Sequence, residues 1–365
     1  MSQTLALPQN LHNHERERRA RRVTEAWIAC LGEPLALVAA ADLNAPEPAM
    51  HAGGAEANVA AGTAVLGTPT SFLSRVGGDA EGLRIVEHLR AHGVHVDGVD
   101  VDDEGFTGRY AKTEGVDDAG EPVTASTYRR AGSAAAAMGP EFLTHPAVAA
   151  ALTRARIVHT SGITPALSPS CAALSRALIR DRTGVTGTVT FDVNWREQLW
   201  PDGDPSLVIE LARCADVVLV GSDEAERVLG TGTPDGVRAL LPEPRTVVVK
   251  DGAVRAIAVD RDGAQIAVPA LAVDVVEPVG AGDSFAAGFL HGLARGEDLR
   301  TCLRRGHAGA AATLTVRADF ATLPVESMTA LLSCDDATWA TAHVGPEAVR
   351  VGDTILKPPR ESRTA

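Results

Sequence analysis

The chain has 365 residues, room for one large domain or two smaller ones, and 45% of them are hydrophobic, ample for a core. A net charge of −13 speaks against a nucleic-acid partner held by broad electrostatics, and no apolar run approaches the ~20 residues that span a bilayer. The five cysteines are scattered without a Cys-x-x-Cys pair and the basic run Arg16–Arg22 lacks a following apolar segment, so we expect a cytoplasmic protein with reduced thiols and no zinc site.

Residues 1–25 are polar and charged and read as an N-terminal extension, whose His12 and His14 have no acid or thiol spaced with them. Trp27–Gly32 is a buried strand, and a second apolar run, Leu35–Ala41, follows. Gly53 and Gly54 then open a helix that ends at Gly67, with Asn58 in its first turn, where its amide reaches either a ligand or the local backbone. Ser71–Val76 is a strand and Gly77-Gly78-Asp79 opens the helix Ala80–His92, an alternation that predicts a parallel sheet covered on both faces.

The rhythm changes over Val94–Arg130, where Val94–Val101, Thr107–Thr113 and Pro122–Arg130 read as short strands without helices between them. Such an antiparallel patch forms a lid over a site, and both tyrosines of the protein, Tyr110 and Tyr128, fall in it, either packed within the sheet or facing a ligand. Arg156–Thr160, Gly187–Val193, Asp216–Val220, Thr246–Lys250 and Arg255–Val259 are strands of the resumed α/β pattern, and Ser168–Arg182 is a helix. Asp192, Asn194 and Arg196 close one strand, where open α/β sheets bind ligands: Arg196 suits a carboxylate or phosphate with Asp192 holding it, or the two form a structural ion pair. Asp223, Glu224 and Glu226 open a helix, a pattern that serves hydrated Mg²⁺ or simply the helix dipole.

The apolar run Leu271–Val276 reads as a strand, Ser284–Ala294 as a helix, and Gly280-Ala281-Gly282-Asp283 as the turn between them. Glycines at a helix N-terminus let successive amides converge on an anion, and Asp283 beside them suits a base that takes a proton from an attacking hydroxyl. A plain turn capped by Asp283 uses the same residues. His307–Val316 reads as a late helix, and residues 325–365 as a C-terminal extension of marginal order. Neither a Gly-x-Gly-x-x-Gly fingerprint after the first strand nor a Gly-x-x-x-x-Gly-Lys-Ser/Thr loop is present.

Three stretches coincide: Gly53-Gly54-x-x-x-Asn58-x-Ala60, Asp192-x-Asn194-x-Arg196 and Gly280-Ala281-Gly282-Asp283. Together they resemble the ribokinase-like (PfkB) carbohydrate kinases over roughly residues 26 to 324. Gly53–Ala60, Thr107-Gly108-Arg109-Tyr110, Tyr128–Ala134, Ser161–Ser168, Phe191–Arg196 with Leu199-Trp200, and Pro278–Gly288 are similar to the 2-keto-3-deoxygluconate kinases within that family. The resemblance implies a three-layer α/β sandwich with a mostly parallel sheet and a small β lid, here over about 34–52 and 94–130, through which two copies dimerise. It implies transfer of the ATP γ-phosphate to a sugar-acid hydroxyl, with Asp283 as base and Gly280, Ala281 and Gly282 as the anion hole. Gly53, Gly54, Asn58, Tyr110, Tyr128, Arg129 and Arg196 would bind the sugar acid, Lys250, Gly252, Gly280, Gly282 and His307 the nucleotide, and Glu224 hydrated Mg²⁺.

The sequence departs from the family pattern on the nucleotide side. Glu277-Pro278 stands where Asp-Thr or Asp-Pro is frequent, against a monovalent cation; Gly221 stands where the Asn of an Asn-x-x-Glu metal motif is expected. Arg255 replaces a glycine, and His307 an asparagine. These changes leave two rivals standing beside the sugar-acid kinase: a kinase for a neutral sugar (fructose- or ribose-like) or nucleoside, and a sugar-binding protein with an eroded ATP site.

Overall fold

The computed structural model describes residues 27–38, 49–116, 122–317 and 320–361. Its strands in chain order begin with β1 (Trp27–Leu31), β2 (Leu35–Val38), β3 (Ala49–Gly53), β4 (Thr70–Gly77), β5 (His95–Asp102), β6 (Arg109–Val116) and β7 (Pro122–Arg129). They continue with β8 (Ala155–Ser161), β9 (Thr188–Asp192), β10 (Val217–Gly221), β11 (Thr246–Asp251), β12 (Arg255–Asp260), β13 (Gln265–Pro269) and β14 (Ala272–Val273). The last are β15 (Ala321–Thr322), β16 (His343–Val344), β17 (Val349–Val351), β18 (Thr354–Leu356) and β19 (Arg360–Glu361).

The strongly apolar runs form the central sheet because strands covered on both faces cannot alternate polar with apolar residues. Within β1, Ile28 and Cys30 face one core layer while Ala29 and Leu31 face the other, and β10 divides Val217 and Leu219 from Val218 and Val220 in the same way. The sheet runs β13-β12-β11-β10-β9-β8-β1-β4-β5. Pairing is parallel from β5 to β11 and antiparallel for β12 and β13 at one edge. The helices Ala55–Val65, Ala281–Ala294 and Leu299–Leu314 cover one face; Pro146–Arg154, Pro169–Ile179 and Ser206–Cys214 cover the other. Strand order reverses at β1, with β4 on one side and β8 on the other, and such a switch point opens a crevice at the carboxyl ends of the strands.

A separate small sheet, β3-β2-β6-β7, rises over that crevice. Its four connections to the body meet at Glu33, a side chain with no solvent exposure. Glu33 accepts from Arg130 Nε at 2.7 Å and Ser133 Oγ at 2.6 Å. Gly54, at φ 109, passes so close that a Cβ there would lie 2.5 Å from the Glu33 carbonyl, which is why the β3–helix junction requires glycine.

Three expectations from sequence are corrected. His95–Asp102 is not a lid strand: it pairs in parallel with β4 as the edge of the central sheet, and its alternating exposure is what an edge strand shows. The strand expected over Leu271–Val276 shrinks to Ala272–Val273, because its only strand partner among the described residues is the two-residue β16. Residues 325–361 are not an appendage of marginal order. They fold as the helices Val325–Ser333 and Asp336–Ala340 and the strands β16-β17-β18, and bury Leu331, Trp339, Val344 and Val349 in the core. The extension 1–25 and residues 39–41 of the second apolar run lie outside the described residues.

Candidate active site

At the carboxyl ends of the strands, beneath the lid, lies a cleft of about 1630 Å³. One small molecule needs ~300–1,000 Å³, so two ligands fit side by side. Of the candidate residues, Gly54, Asn58, Tyr110, Tyr128, Arg129, Arg196, Glu224, Lys250, Gly252, Gly280, Ala281, Gly282, Asp283 and His307 all line it; Gly53 does not, ending β3 just behind Gly54.

Asp283 sits in the first turn of the helix Ala281–Ala294. Gly280 precedes that helix at φ 85, a left-handed angle that turns the chain sharply and leaves the amides of Ala281, Gly282 and Asp283 without intrahelical acceptors. Glu277 supports the approach, its Oε1 accepting from Val279 N at 3.2 Å. Asn58, in the helix packed alongside, donates Nδ2 to Asp283 Oδ2 at 2.9 Å. Burial pushes the Asp283 carboxyl up to about 7, against the pull of Asn58 and Arg196 and with the push of Asp192 and Glu56. A carboxyl that titrates near neutrality is suited to exchange a proton with a hydroxyl.

Behind Asp283 the ends of β9, β10 and β11 converge. Lys250 places Nζ 2.8 Å from Asp192 Oδ2. Burial alone would depress the lysine, but Asp192, Glu224 and Asp283 together carry it above its ordinary value. Asp192 therefore holds Lys250, not Arg196 as the sequence suggested, and Lys250 neutralises an acidic cluster rather than standing free toward the nucleotide. The Asp192 Oδ1 atom is buried with no hydrogen-bond partner. Glu224 reaches back to Gly221 N at 3.0 Å and also accepts from Trp195 N. Its burial, then Asp192, raises its carboxyl. Asn194 takes a left-handed φ of 40, turning the chain so that Trp195 and Arg196 enter the cleft, with Trp195 stacked on Trp200 at 4.9 Å.

At the lid end Tyr110 and Tyr128 are cross-strand partners stacked at 5.8 Å, Tyr110 buried and Tyr128 exposed to the cleft. The Arg129 guanidinium lies over the Phe106 ring, 4.1 Å from its centroid. At the far end His307 donates Nε2–H to the Val268 carbonyl at 3.0 Å, and burial drops its pKa to about 4, so it is neutral and its role in the fold is to tie the late helix to β13. Gly252 turns at φ 47, and Arg255 pairs loosely with Asp251 at 3.8 Å.

Sequence reasoning missed two buried carboxylates. Glu33 lines the cleft at the lid junction. Glu56 has no exposure, and its Oε1 accepts from Ser161 N and Oγ and from Thr164 Oγ1, pinning the Asn58 helix to the end of β8. The signal for each was a lone acid flanked by Gly, Pro or Ala next to an apolar run, a context in which carboxylates are rarely solvated.

A doubly wound sheet whose switch-point crevice holds a glycine turn, a titrating acid at a helix N-terminus and a β lid defines a class of phosphoryl-transfer enzymes on small substrates. Residues 26–325 match the family described as pfkB family carbohydrate kinase, and the chain belongs to it. It is 33% identical over 314 residues to the 2-dehydro-3-deoxygluconokinase of Thermoproteus tenax, covering 81% of this chain and 91% of the relative. It is 32% identical over 292 residues to the 2-dehydro-3-deoxygalactonokinase of Haloferax volcanii, covering 78% and 88%. The crystal structure of a PfkB protein from Polaromonas sp. JS666 superposes with a TM-score of 0.66 at 32% identity, covering 78% of this chain and 94% of that one.

Proposed function

We propose that this chain transfers the γ-phosphoryl group of ATP to a hydroxyl of a 2-keto-3-deoxy sugar acid, with 2-keto-3-deoxygluconate as the acceptor. One observation carries the acid: all but two of the cleft's arginine and lysine side chains are ion-paired. Arg130 meets Glu33, Lys250 meets Asp192, Arg227 meets Glu197 and Arg255 meets Asp251. Arg129 and Arg196 line the same cleft with no carboxylate partner among the described residues. With a neutral acceptor the transferred phosphate would occupy only one of the two guanidiniums, whereas a sugar carboxylate and that phosphate suit both. The names of the relatives from Thermoproteus tenax and Haloferax volcanii point to the same substrate class.

In this reading the acceptor hydroxyl lies against Asp283. The hydroxyl oxygen bonds to the γ-phosphorus as the bond to the ADP oxygen breaks, and the hydroxyl proton passes to the Asp283 carboxylate. The free amides of Ala281–Asp283 face the charge on the phosphoryl oxygens. Gly54, Asn58, Tyr110 and Tyr128 hold the sugar, and the end near Gly252, Arg255 and His307 takes the nucleotide. Glu224 and the unpartnered Asp192 Oδ1 would hold hydrated Mg²⁺, which offsets the charge of the polyphosphate. Among the described residues no cluster of three His, Cys, Asp or Glu side chains offers direct ligation, which fits an ion held through water. No monovalent-cation site is proposed at Glu277, whose Oε1 is occupied by Val279 N.

The lid edges β3 and β7 have no outer strand partner among the described residues, which supports dimerisation through the lid; sedimentation of the purified chain tests it. The described residues contain no helix long and apolar enough to cross a membrane, consistent with action on soluble metabolites in the cytoplasm.

The test is ADP release from Mg-ATP across sugar acids, neutral sugars and nucleosides, with Arg129→Ala and Arg196→Ala alongside. Turnover confined to 2-keto-3-deoxy sugar acids is expected, with each substitution raising KM for the acid about ten- to a hundredfold, the worth of one charge-assisted hydrogen bond. Turnover of a neutral sugar, indifferent to both arginines, would refute the carboxylate assignment.

A further inference from the structure

The family match ends at residue 325, yet the chain continues into a folded module that touches the cleft wall from behind. Strand β14 is the contact. Ala272 and Val273 line the cleft and pair in parallel with His343 and Val344 of β16. Beyond them, Asp274 N donates to the Val344 carbonyl at 3.2 Å, and His343 Nε2 lies 3.1 Å from Asp274 Oδ1. Asp274 stands six residues before Gly280, on the stretch that delivers the chain to the glycine turn. Upstream of β14, Trp339 donates Nε1 to the Pro269 carbonyl at 2.9 Å. That indole is 1% exposed, and the Arg304 guanidinium lies 4.7 Å from its ring centroid.

Without these contacts the stretch between β13 and the glycine turn would be anchored chiefly by Leu271, buried in the core. It contains no helix and only the two-residue β14, and Val275 and Val276 are exposed. Its remaining backbone ties are Ala270 N to the Val254 carbonyl and Val276 and Glu277 N to the Leu314 carbonyl. A short strand gains order only from its partner.

We propose that the module Asp335–Leu356 is a brace that sets the nucleotide wall of the cleft, with His343, Val344 and Trp339 as positioning residues acting through β14 and Asp274. The inference rests on the reading that this end of the cleft takes the ATP base and ribose. It predicts that loosening the brace weakens nucleotide binding while leaving the acceptor end, some strands away beneath the lid, unaffected.

Two variants loosen it without opening the core. Gly345→Val places a Cβ 2.8 Å from Asp274 Oδ2 and turns that carboxylate away from His343. His343→Ala, at a ring 29% exposed, removes only the contact to Asp274 and serves if the first variant fails to fold. The measurements are ADP binding by titration calorimetry, KM for ATP and for the sugar acid, and the melting temperature. We expect ADP affinity to fall and KM for ATP to rise about three- to tenfold, the reach of one or two lost hydrogen bonds. KM for the sugar acid should stay within about twofold, and the melting temperature close to that of the unsubstituted chain. Unchanged ADP affinity in a folded variant, or equal rises in both KM values, would overturn the brace. Turnover by the unsubstituted chain tests the kinase reading separately, and ADP calorimetry reads the brace even where no acceptor is phosphorylated.

Discussion

Asn58→Ala should shift the pH profile of the reaction, not merely lower it. Asn58 Nδ2 donates to Asp283 Oδ2 at 2.9 Å, and this bond favours the ionised carboxyl. Asp283 titrates at about 7 with that bond in place. A base works only when deprotonated, so kcat/KM should rise through that pH and level off above it. A hydrogen bond to a charged group is worth ~1.5–3 kcal/mol, and water entering the cleft replaces part of it, so the net loss corresponds to about one pKa unit at ~1.4 kcal/mol each. The acid limb of kcat/KM should therefore move from near neutrality to about pH 8 in Asn58→Ala. The assay is coupled ADP release at limiting sugar acid between about pH 5.5 and 9.5. Loss of a sugar contact from Asn58 would lower the plateau without moving the limb, so the two effects separate. A limb that stays put, or moves to lower pH, would refute Asp283 as the base tuned by Asn58.

Asp283→Asn should lower kcat at least about a hundredfold while ADP still binds. It should also melt higher than the unsubstituted chain at pH 8. The folded pKa of Asp283, about 7, lies above its unfolded value, so its burial costs stability progressively as pH rises through that window, and the substitution removes the cost. Lys250→Met should destabilise the fold by about 3–5 kcal/mol at pH 8, read by denaturant melts, because it strands Asp192, Glu224 and Asp283 without their common cation; the loss should shrink at pH 6, below the value of about 7 at which Asp283 takes up a proton. Trp339→Ala should cost about 3–5 kcal/mol, whereas a true appendage would tolerate it with no change in melting.

What could be read in advance was what leaves a local trace. Val217–Val220 and Val247–Val249 are continuous apolar runs, and only a strand covered on both faces needs them, so the central sheet was legible. Gly54 and Gly280 mark turns because their angles exclude other residues, which made both ends of the acceptor site visible. Partners distant in sequence left no such trace. Asp192 and Lys250 are 58 residues apart, and nothing near Arg196 says that the neighbouring acid belongs to another strand. The C-terminal module was missed because its strands have two or three residues and its second helix five, too short for any period to emerge. Its one overt sign was Trp339, a large apolar side chain in a polar stretch. The alternation of His95–Asp102 was read correctly as a strand and assigned to the wrong sheet, since an edge strand and a lid strand are both half exposed.

The charges of the cleft tie these threads together. At the inner end three carboxylates, Asp192, Glu224 and Asp283, share one lysine, and burial first, then their mutual repulsion, raises Glu224 and Asp283. Arg129 at the lid and Arg196 tip the balance the other way, for neither has a carboxylate ion-pair partner among the described residues. A single ligand of either sign would satisfy only one end. On the proposed reading a magnesium nucleotide brings cationic charge to the acids, and a sugar acid brings a carboxylate to the arginines. The phosphoryl group passes between them at Asp283, a carboxyl whose charge also feels Arg196. A neutral sugar would leave the lid end uncompensated, and a sugar sensor without chemistry would have no use for a carboxyl held at a destabilising pKa.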